Sequence, residues 1–133
     1  MSFIKWNKEL SVGIKEIDEQ HKNLIENVNK AYLISRKDDK DKISEILKDL
    51  IEYVRIHFST EEKYFEKWDY KYKEEHEKEH EKLTLKVLDF NTRFERGEEI
   101  MESFLKFLRE WIENHLKKHD FKYSRTWKEQ GYI

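Results

Sequence analysis

Apolar residues recur at alternating spacings of three and four in four segments of this chain, a pattern typical of helices with one buried face. These segments predict helices over about residues 18–36, 41–65, 70–94 and 98–118. Short polar connections separate them, and a connection of a few residues makes neighbouring helices antiparallel. The pattern therefore predicts an all-α protein, an up-down-up-down antiparallel four-helix bundle.

Shorter segments flank the four predicted helices. An N-terminal arm over residues 1–17 carries apolar residues that can pack on the bundle, and a short C-terminal tail over residues 121–133 is rich in aromatic residues. The chain shows neither an internal repeat nor a break in composition. We therefore expect a single domain over residues 1–133.

Composition and charge narrow the classes of function. The 27 Lys+Arg balance 29 Asp+Glu without a basic block, so we expect no nucleic-acid partner. No apolar run reaches the length of a signal peptide or a membrane span, and we expect a cytoplasmic protein with no membrane partner. The absence of cysteine excludes thiolate metal sites and cysteine nucleophiles. Gly-rich nucleotide-binding motifs and the serine-hydrolase motif are absent as well.

Ionisable residues continue the apolar faces of the second and third predicted helices, namely His57, Glu61, His76 and His80. A lone buried histidine is most often a hydrogen-bonded core residue. Four such groups together favour a metal site, because a buried ionisable group is costly unless it is paired or binds a metal. Each pair is spaced i,i+4, so both of its side chains can reach one point.

The bundle topology brings further histidines to the same end. His21 lies near the start of the first predicted helix and His115 near the end of the fourth, so every helix contributes an imidazole to one layer. Imidazole and carboxylate ligands without thiolates select zinc, iron, copper or manganese. Five histidines with two carboxylates are too many for one ion, and two ions fit better.

The order of these residues resembles the metal-binding pattern of the hemerythrin family. The length and single-domain layout resemble its bacterial members, the bacteriohemerythrins. The pattern is a histidine early in the first helix, followed by H-x3-E, H-x3-H and H-x4-D. In this chain it consists of His21, His57 with Glu61, His76 with His80, and His115 with Asp120.

The resemblance implies two non-haem iron ions per chain, joined by an oxo or hydroxo bridge. One iron would be coordinatively full and held by three histidines, His76, His80 and His115. The other would keep an open position for O₂ and be held by two histidines, His21 and His57. Two carboxylates would bridge both irons, those of Glu61 and Asp120.

Spacing alone and the resemblance disagree at the end of the fourth predicted helix. His119 lies four residues after His115 and shares its face, whereas Asp120 would point about 140° away on an ideal α-helix. The resemblance favours Asp120, which requires the helix to end or widen there, for instance through a π-bulge. We predict Asp120 as the ligand and His119 as a residue at the surface or behind the ligands.

The resemblance implies reversible O₂ binding, for storage, transport or delivery to oxygen-requiring enzymes, and not an enzyme. The expected partners are O₂ and an oxygen-consuming enzyme that would receive it. Two alternatives use the same scaffold: a di-iron enzyme that removes O₂, peroxide or nitric oxide, and a sensor of O₂ or iron. Five residues are predicted to line the O₂ pocket, although plain core packing would also explain each: Ile25, Phe58, Trp111, Ile112 and Leu116.

Overall fold

The computed structural model describes residues 3–37 and 39–133, and these ranges form five α-helices. A short 3₁₀ turn, Lys8–Leu10, lies in the N-terminal arm. The helices are α1 (Lys15–Ser35), α2 (Lys40–Lys67), α3 (Lys73–Glu95), α4 (Met101–His115) and α5 (Phe121–Glu129). No helix in the described ranges is both long and apolar enough to cross a membrane.

Helices α1 to α4 form the up-down-up-down four-helix bundle that the apolar pattern predicted. α1 packs against both α2 and α4, and α2 packs against α3. Gly97 has a φ of 89°, a left-handed conformation that glycine adopts without strain, and it allows the chain to leave α3. The prediction of fold class is confirmed.

The observed helix bounds differ from the predicted ones by a few residues, for local reasons. α3 begins at Lys73 and not near residue 70, because Asp69 has a φ of 45° after α2 and the following residues complete a turn. α4 begins at Met101 and not near residue 98, because the chain beyond Gly97 remains irregular up to Ile100.

The chain does not leave the bundle after the fourth helix. α4 passes directly into a π-helical turn, Leu116–Asp120, which we call the π-turn, and then into α5. The predicted tail is thus largely helical. α5 buries Tyr123 and Trp127 completely.

Two clusters of buried apolar residues stabilise the fold. The larger one fills the bundle between α1, α2, α3 and α4, with Leu47 and Phe104 fully buried. The smaller one joins the arm to α5, and Ser124 Oγ fixes this contact by donating a 2.7 Å hydrogen bond to the Val12 carbonyl. Each fully buried large apolar side chain contributes about 1.5–3 kcal/mol. The arm and α5 therefore close one end of the bundle.

Candidate metal centre

Seven ionisable side chains meet at the end of the bundle that the arm and α5 close. α2 and α3 each supply an i,i+4 pair, α1 supplies a residue of its second turn, and α4 with the π-turn supplies the last two. Each of the seven is at most 4% exposed: His21, His57, Glu61, His76, His80, His115 and Asp120. The structure thus brings together every residue that the sequence predicted for the metal site.

The possible ligand atoms form two adjacent groups. Within each group, all the atoms lie within 4.8 Å of one another. The first group consists of Glu61, His76, His80 and His115. The second group consists of His21, His57, Glu61 and Asp120. Because Glu61 belongs to both, the arrangement offers two neighbouring cation positions that share a carboxylate.

Both carboxylates contact histidines of the two groups. Glu61 Oε1 lies 3.2 Å from His57 Nε2 and 3.1 Å from His80 Nε2. Asp120 turns one oxygen to each side, with Oδ2 at 3.2 Å from His21 Nε2 and Oδ1 at 3.0 Å from His76 Nε2. Two carboxylates placed between the groups are what bridging ligands require.

Asp120 reaches the site because the helix widens in the π-turn. The Phe121 amide donates to the Leu116 carbonyl, the i→i−5 hydrogen bond that defines a π-helix. Asp120 Oδ1 consequently lies 3.1 Å from His115 Nε2. His119 is only partly buried, and its ring stacks beside the His115 ring with 5.2 Å between centroids. The structure places Asp120 inside the cluster and His119 at its outer edge.

The two carboxylates remain ionised although they are completely buried. Burial and the neighbouring Asp120 charge both oppose ionisation of Glu61, but histidines led by His57 outweigh them and hold the pKa of Glu61 well below its usual range. Burial also opposes ionisation of Asp120, and histidines led by His115 hold its pKa well below the usual range.

Two of the histidines are held neutral. Burial lowers the pKa of His80 to about 4, and burial with the nearby His57 lowers the pKa of His21. The pKa of His76 shifts in the opposite direction. The neighbouring carboxylates stabilise its charged form more than burial destabilises it, so its pKa is raised. Charged carboxylates and neutral imidazoles are the protonation states in which these groups bind metals.

Comparisons with known proteins agree with this geometry. Residues 12–126 match the family model described as "Hemerythrin HHE cation binding domain". A bacteriohemerythrin of Clostridium acetobutylicum is 35% identical over 89% of this chain and 96% of its own, and one of Methylococcus capsulatus is 32% identical over 93% and 96%. A crystal structure of wild-type hemerythrin superposes with a TM-score of 0.89 at 30% identity, covering 93% of this chain and 97% of that one. This chain belongs to the hemerythrin family.

Hemerythrin membership implies non-haem iron at this cluster, and the donor atoms fit such ions. Both oxygens of Glu61 and of Asp120, together with His80 Nε2, are buried without a partner at hydrogen-bond geometry. An unsatisfied buried polar group costs about 1–3 kcal/mol, and a charged one costs more. Cations between these groups would satisfy all five atoms.

The spacing of the donor atoms supports the same conclusion. Two ligands at right angles, each about 2.1 Å from a metal ion, lie about 3.0 Å apart. In the cluster, His21 Nε2 lies 2.9 Å from His57 Nε2, and His76 Nε2 lies 3.1 Å from His115 Nε2. The nearest carboxylate contacts fall between 3.0 and 3.2 Å. The cluster is therefore arranged as ligands around shared centres.

Gln20 holds one of the histidines from behind, a role that the sequence analysis missed. His57 Nδ1 donates to Gln20 Oε1 at 2.8 Å, and Gln20 Nε2 donates to Thr60 Oγ1 at 3.1 Å. This chain of hydrogen bonds places the proton on Nδ1 and leaves His57 Nε2 free for a metal. The position of Gln20 directly before His21 gave no signal of this, because its side chain reaches across to α2.

A small cavity of about 10 Å³ lies against the second ligand group. It is lined by His21, Leu24, His57, Trp111, Ile112, His115, Leu116 and Asp120. Three of the five predicted pocket residues line it, but Ile25 and Phe58 do not. Leu24 takes the place of Ile25 because α1 turns that neighbouring residue to the cavity, and Phe58 instead stacks on His80 with 3.7 Å between ring centroids.

Proposed function

We propose that this chain binds O₂ reversibly at a non-haem di-iron centre with an oxo or hydroxo bridge, for storage, transport or delivery to oxygen-requiring enzymes. His76, His80 and His115 would hold one iron, His21 and His57 the other, and Glu61 and Asp120 would bridge them. Two ferrous ions supply the position and the electrons that reversible O₂ uptake requires. The observation that carries the proposal is the small cavity, which touches three members of the second ligand group and one of the first.

The asymmetry of the surroundings supports an open position at the second group. The cavity touches His21, His57 and Asp120 but, of the three histidines on the other side, only His115. Aromatic rings cover the rest of the first group: Phe58 stacks on His80 at 3.7 Å, and the Phe65 ring lies 4.8 Å from that of His76. The small buried cavity therefore lies mainly on the side of the second group, whereas His80 and His115 of the first group border open grooves at the surface.

The walls of the cavity suit a small apolar molecule. Apart from the ligands, they consist of Leu24, Trp111, Ile112 and Leu116. The cavity, at about 10 Å³, is at the lower limit for one water-sized molecule, so it leaves no room for a substrate larger than a diatomic gas. Apolar walls also keep bulk water and its protons from the bound molecule.

The same walls favour binding over catalysis. Of the residues described around the cavity, the Trp111 indole alone, outside the ligand set, carries a side-chain proton donor. An enzyme that reduces O₂ or peroxide must deliver protons to the reacting oxygen atoms. A cavity with few donors slows that delivery and allows O₂ to leave unchanged.

Repeated exposure to O₂ tests the proposal. The protein is loaded with ferrous iron under argon, and its visible spectrum is followed through several cycles of O₂ and argon. We expect the same spectral change to appear and disappear in each cycle, and Leu85→Ala, at an exposed position of α3, to behave identically. A single irreversible oxidation, or steady O₂ consumption with an electron donor, would contradict reversible binding.

A further inference from the structure

A row of aromatic rings leads from the metal centre to the molecular surface. The Tyr123 ring lies 5.5 Å from the His76 ring and 4.5 Å from Trp127. Trp127 lies 4.9 Å from Trp68, and Trp68 stacks on Tyr132 with 5.3 Å between centroids and 2° between planes. We call Tyr123, Trp127, Trp68 and Tyr132 the aromatic ladder. It connects a predicted iron ligand to a side chain that is 48% exposed.

Packing alone gives little reason for a tryptophan at position 127. Tyr123 and Trp127 are both completely buried, and the Tyr123 hydroxyl faces the Glu61 carboxylate, whereas Trp127 Nε1 has no partner at hydrogen-bond geometry. Buried Tyr and Trp usually find a partner for these groups, and each missing partner costs about 1–3 kcal/mol. Phenylalanine would fill most of the space of Trp127 without that cost. Tryptophan also differs from phenylalanine in how readily it loses an electron.

A side branch of the ladder, Tyr64 beside Trp68, can release a proton together with an electron. The Tyr64 ring lies 5.1 Å from that of Trp68, and its hydroxyl donates a 3.0 Å hydrogen bond to Glu16 Oε2. A tyrosine that loses an electron must also lose its phenolic proton, and the Glu16 carboxylate can accept it and return it. Tryptophan transfers an electron without this need. Trp127 and Trp68 therefore carry the charge, the surface tyrosines release the proton, and the buried Tyr123 ring spans the gap between His76 and Trp127 without being oxidised itself.

We propose that the aromatic ladder carries oxidising equivalents from the metal centre to the surface when hydrogen peroxide reacts at the oxidised centre. The proposal rests on the proposed function only in requiring redox-active iron in the cluster. Cleavage of the O–O bond consumes two electrons and two protons and gives two waters. The ladder delivers the two electrons in succession, and a thiol reductant in solution restores it. Two thiols then form one disulfide and release the two protons, so the balance closes.

Trp111 is the competing donor, because it stacks on His115 with 4.1 Å between centroids. Its other ring contact is Phe58, at 5.8 Å, and among the described ring contacts no tyrosine or tryptophan extends the path from there. An oxidising equivalent on Trp111 would stay beside the centre. The ladder, in contrast, ends at the surface, where a reductant can reach Tyr132.

Spin trapping with peptide mapping tests the ladder. The iron-loaded, oxidised full chain is treated with hydrogen peroxide and a nitroso or nitrone spin trap, and the adducts are located by mass spectrometry. We expect adducts on Tyr132, Trp68 and Tyr64, and we expect Trp127→Phe to lose most of them. Trp6→Phe is the matched control, because Trp6 packs on the other core cluster, and it should keep them. The iron-free chain should give none.

Unchanged adducts in an iron-loaded Trp127→Phe protein, or adducts confined to Trp111 and the ligands, would overturn the proposal. If Trp127→Phe fails to fold or to hold iron, the variant Trp68→Phe, at a half-buried position, decides. It should lose the adducts at position 68 and on Tyr132 and keep those on Tyr64, whose ring also lies 6.4 Å from that of Trp127. The spin-trapping result does not depend on the outcome of the O₂ cycles, since the adducts require only iron and peroxide. Adducts without reversible O₂ uptake would contradict the proposed function and support the ladder.

Discussion

Replacing Gln20 by leucine should weaken metal binding although Gln20 is none of the seven predicted ligands. The change removes the acceptor that lies 2.8 Å from His57 Nδ1 and leaves this N–H without a partner in a ring that is 2% exposed. The loss of a buried hydrogen-bond partner costs about 1–3 kcal/mol. Loss of such an outer hydrogen bond to a metal-bound histidine typically weakens binding about 10- to 100-fold, or about 1.4–2.7 kcal/mol. The cost of the lost hydrogen bond and the expected loss of binding free energy therefore agree.

Competition with a coloured chelator, titrated anaerobically with ferrous iron, measures the effect. Gln20→Glu keeps an acceptor and makes it charged, so it should bind iron at least as tightly as the unmodified chain. Thr60→Val releases only the far side of Gln20 and should have a smaller effect. Gln130→Leu removes an exposed amide beyond α5 and should change nothing. Equal affinity in Gln20→Leu and the unmodified chain would refute this role of Gln20.

Three further predictions concern the cluster and the cavity. Asp120→Ala should lower the iron content of the reconstituted chain, whereas His119→Ala should retain it, as measured by metal analysis; the reverse outcome would make His119 the ligand. Leu24→Phe should fill the cavity of about 10 Å³ and slow or abolish O₂ binding in stopped-flow absorbance while the iron content is kept. The metal-free chain should lose stability as the pH falls from about 6.5 to about 4, because the unfolded chain binds a proton at His80 that the folded chain, with a pKa of about 4, resists. At about 1.4 kcal/mol per pH unit, His80 alone should lower the free energy of unfolding by about 3 kcal/mol over this range, as measured by urea unfolding. His80→Gln should make the free energy of unfolding less dependent on pH.

The number of helices and their antiparallel order could be predicted from the sequence, because the buried faces repeat with the period of an α-helix. The exact bounds of the helices could not be predicted in this way. The late start of α3 depends on the left-handed conformation of Asp69, and periodicity says nothing of such a turn. The helical tail was missed for a related reason, since the chain continues through a π-turn that breaks the α-helical period.

The gathering of the histidines followed from topology, since residues at one end of antiparallel helices must meet. The position of Asp120 in the site did not follow from topology. Helical spacing favoured His119, and only the resemblance to hemerythrin favoured Asp120. The π-turn brings Asp120 to His115. The roles of Gln20 and Leu24 depend on how α1 is rotated against α2 and α4, which the sequence does not fix. The same rotation turns Leu24, and not the neighbouring Ile25, to the cavity.

The iron content of the chain tests the central claim most directly. The purified protein is stripped of metal, reconstituted anaerobically with excess ferrous iron, desalted and analysed for iron per chain. Two ligand groups that share Glu61 predict two iron ions per chain. Because Glu61 belongs to both groups, the Glu61→Ala variant should lose iron from both positions. One iron or none in the unmodified chain, or two irons retained by Glu61→Ala, would contradict a di-iron centre built from these seven residues.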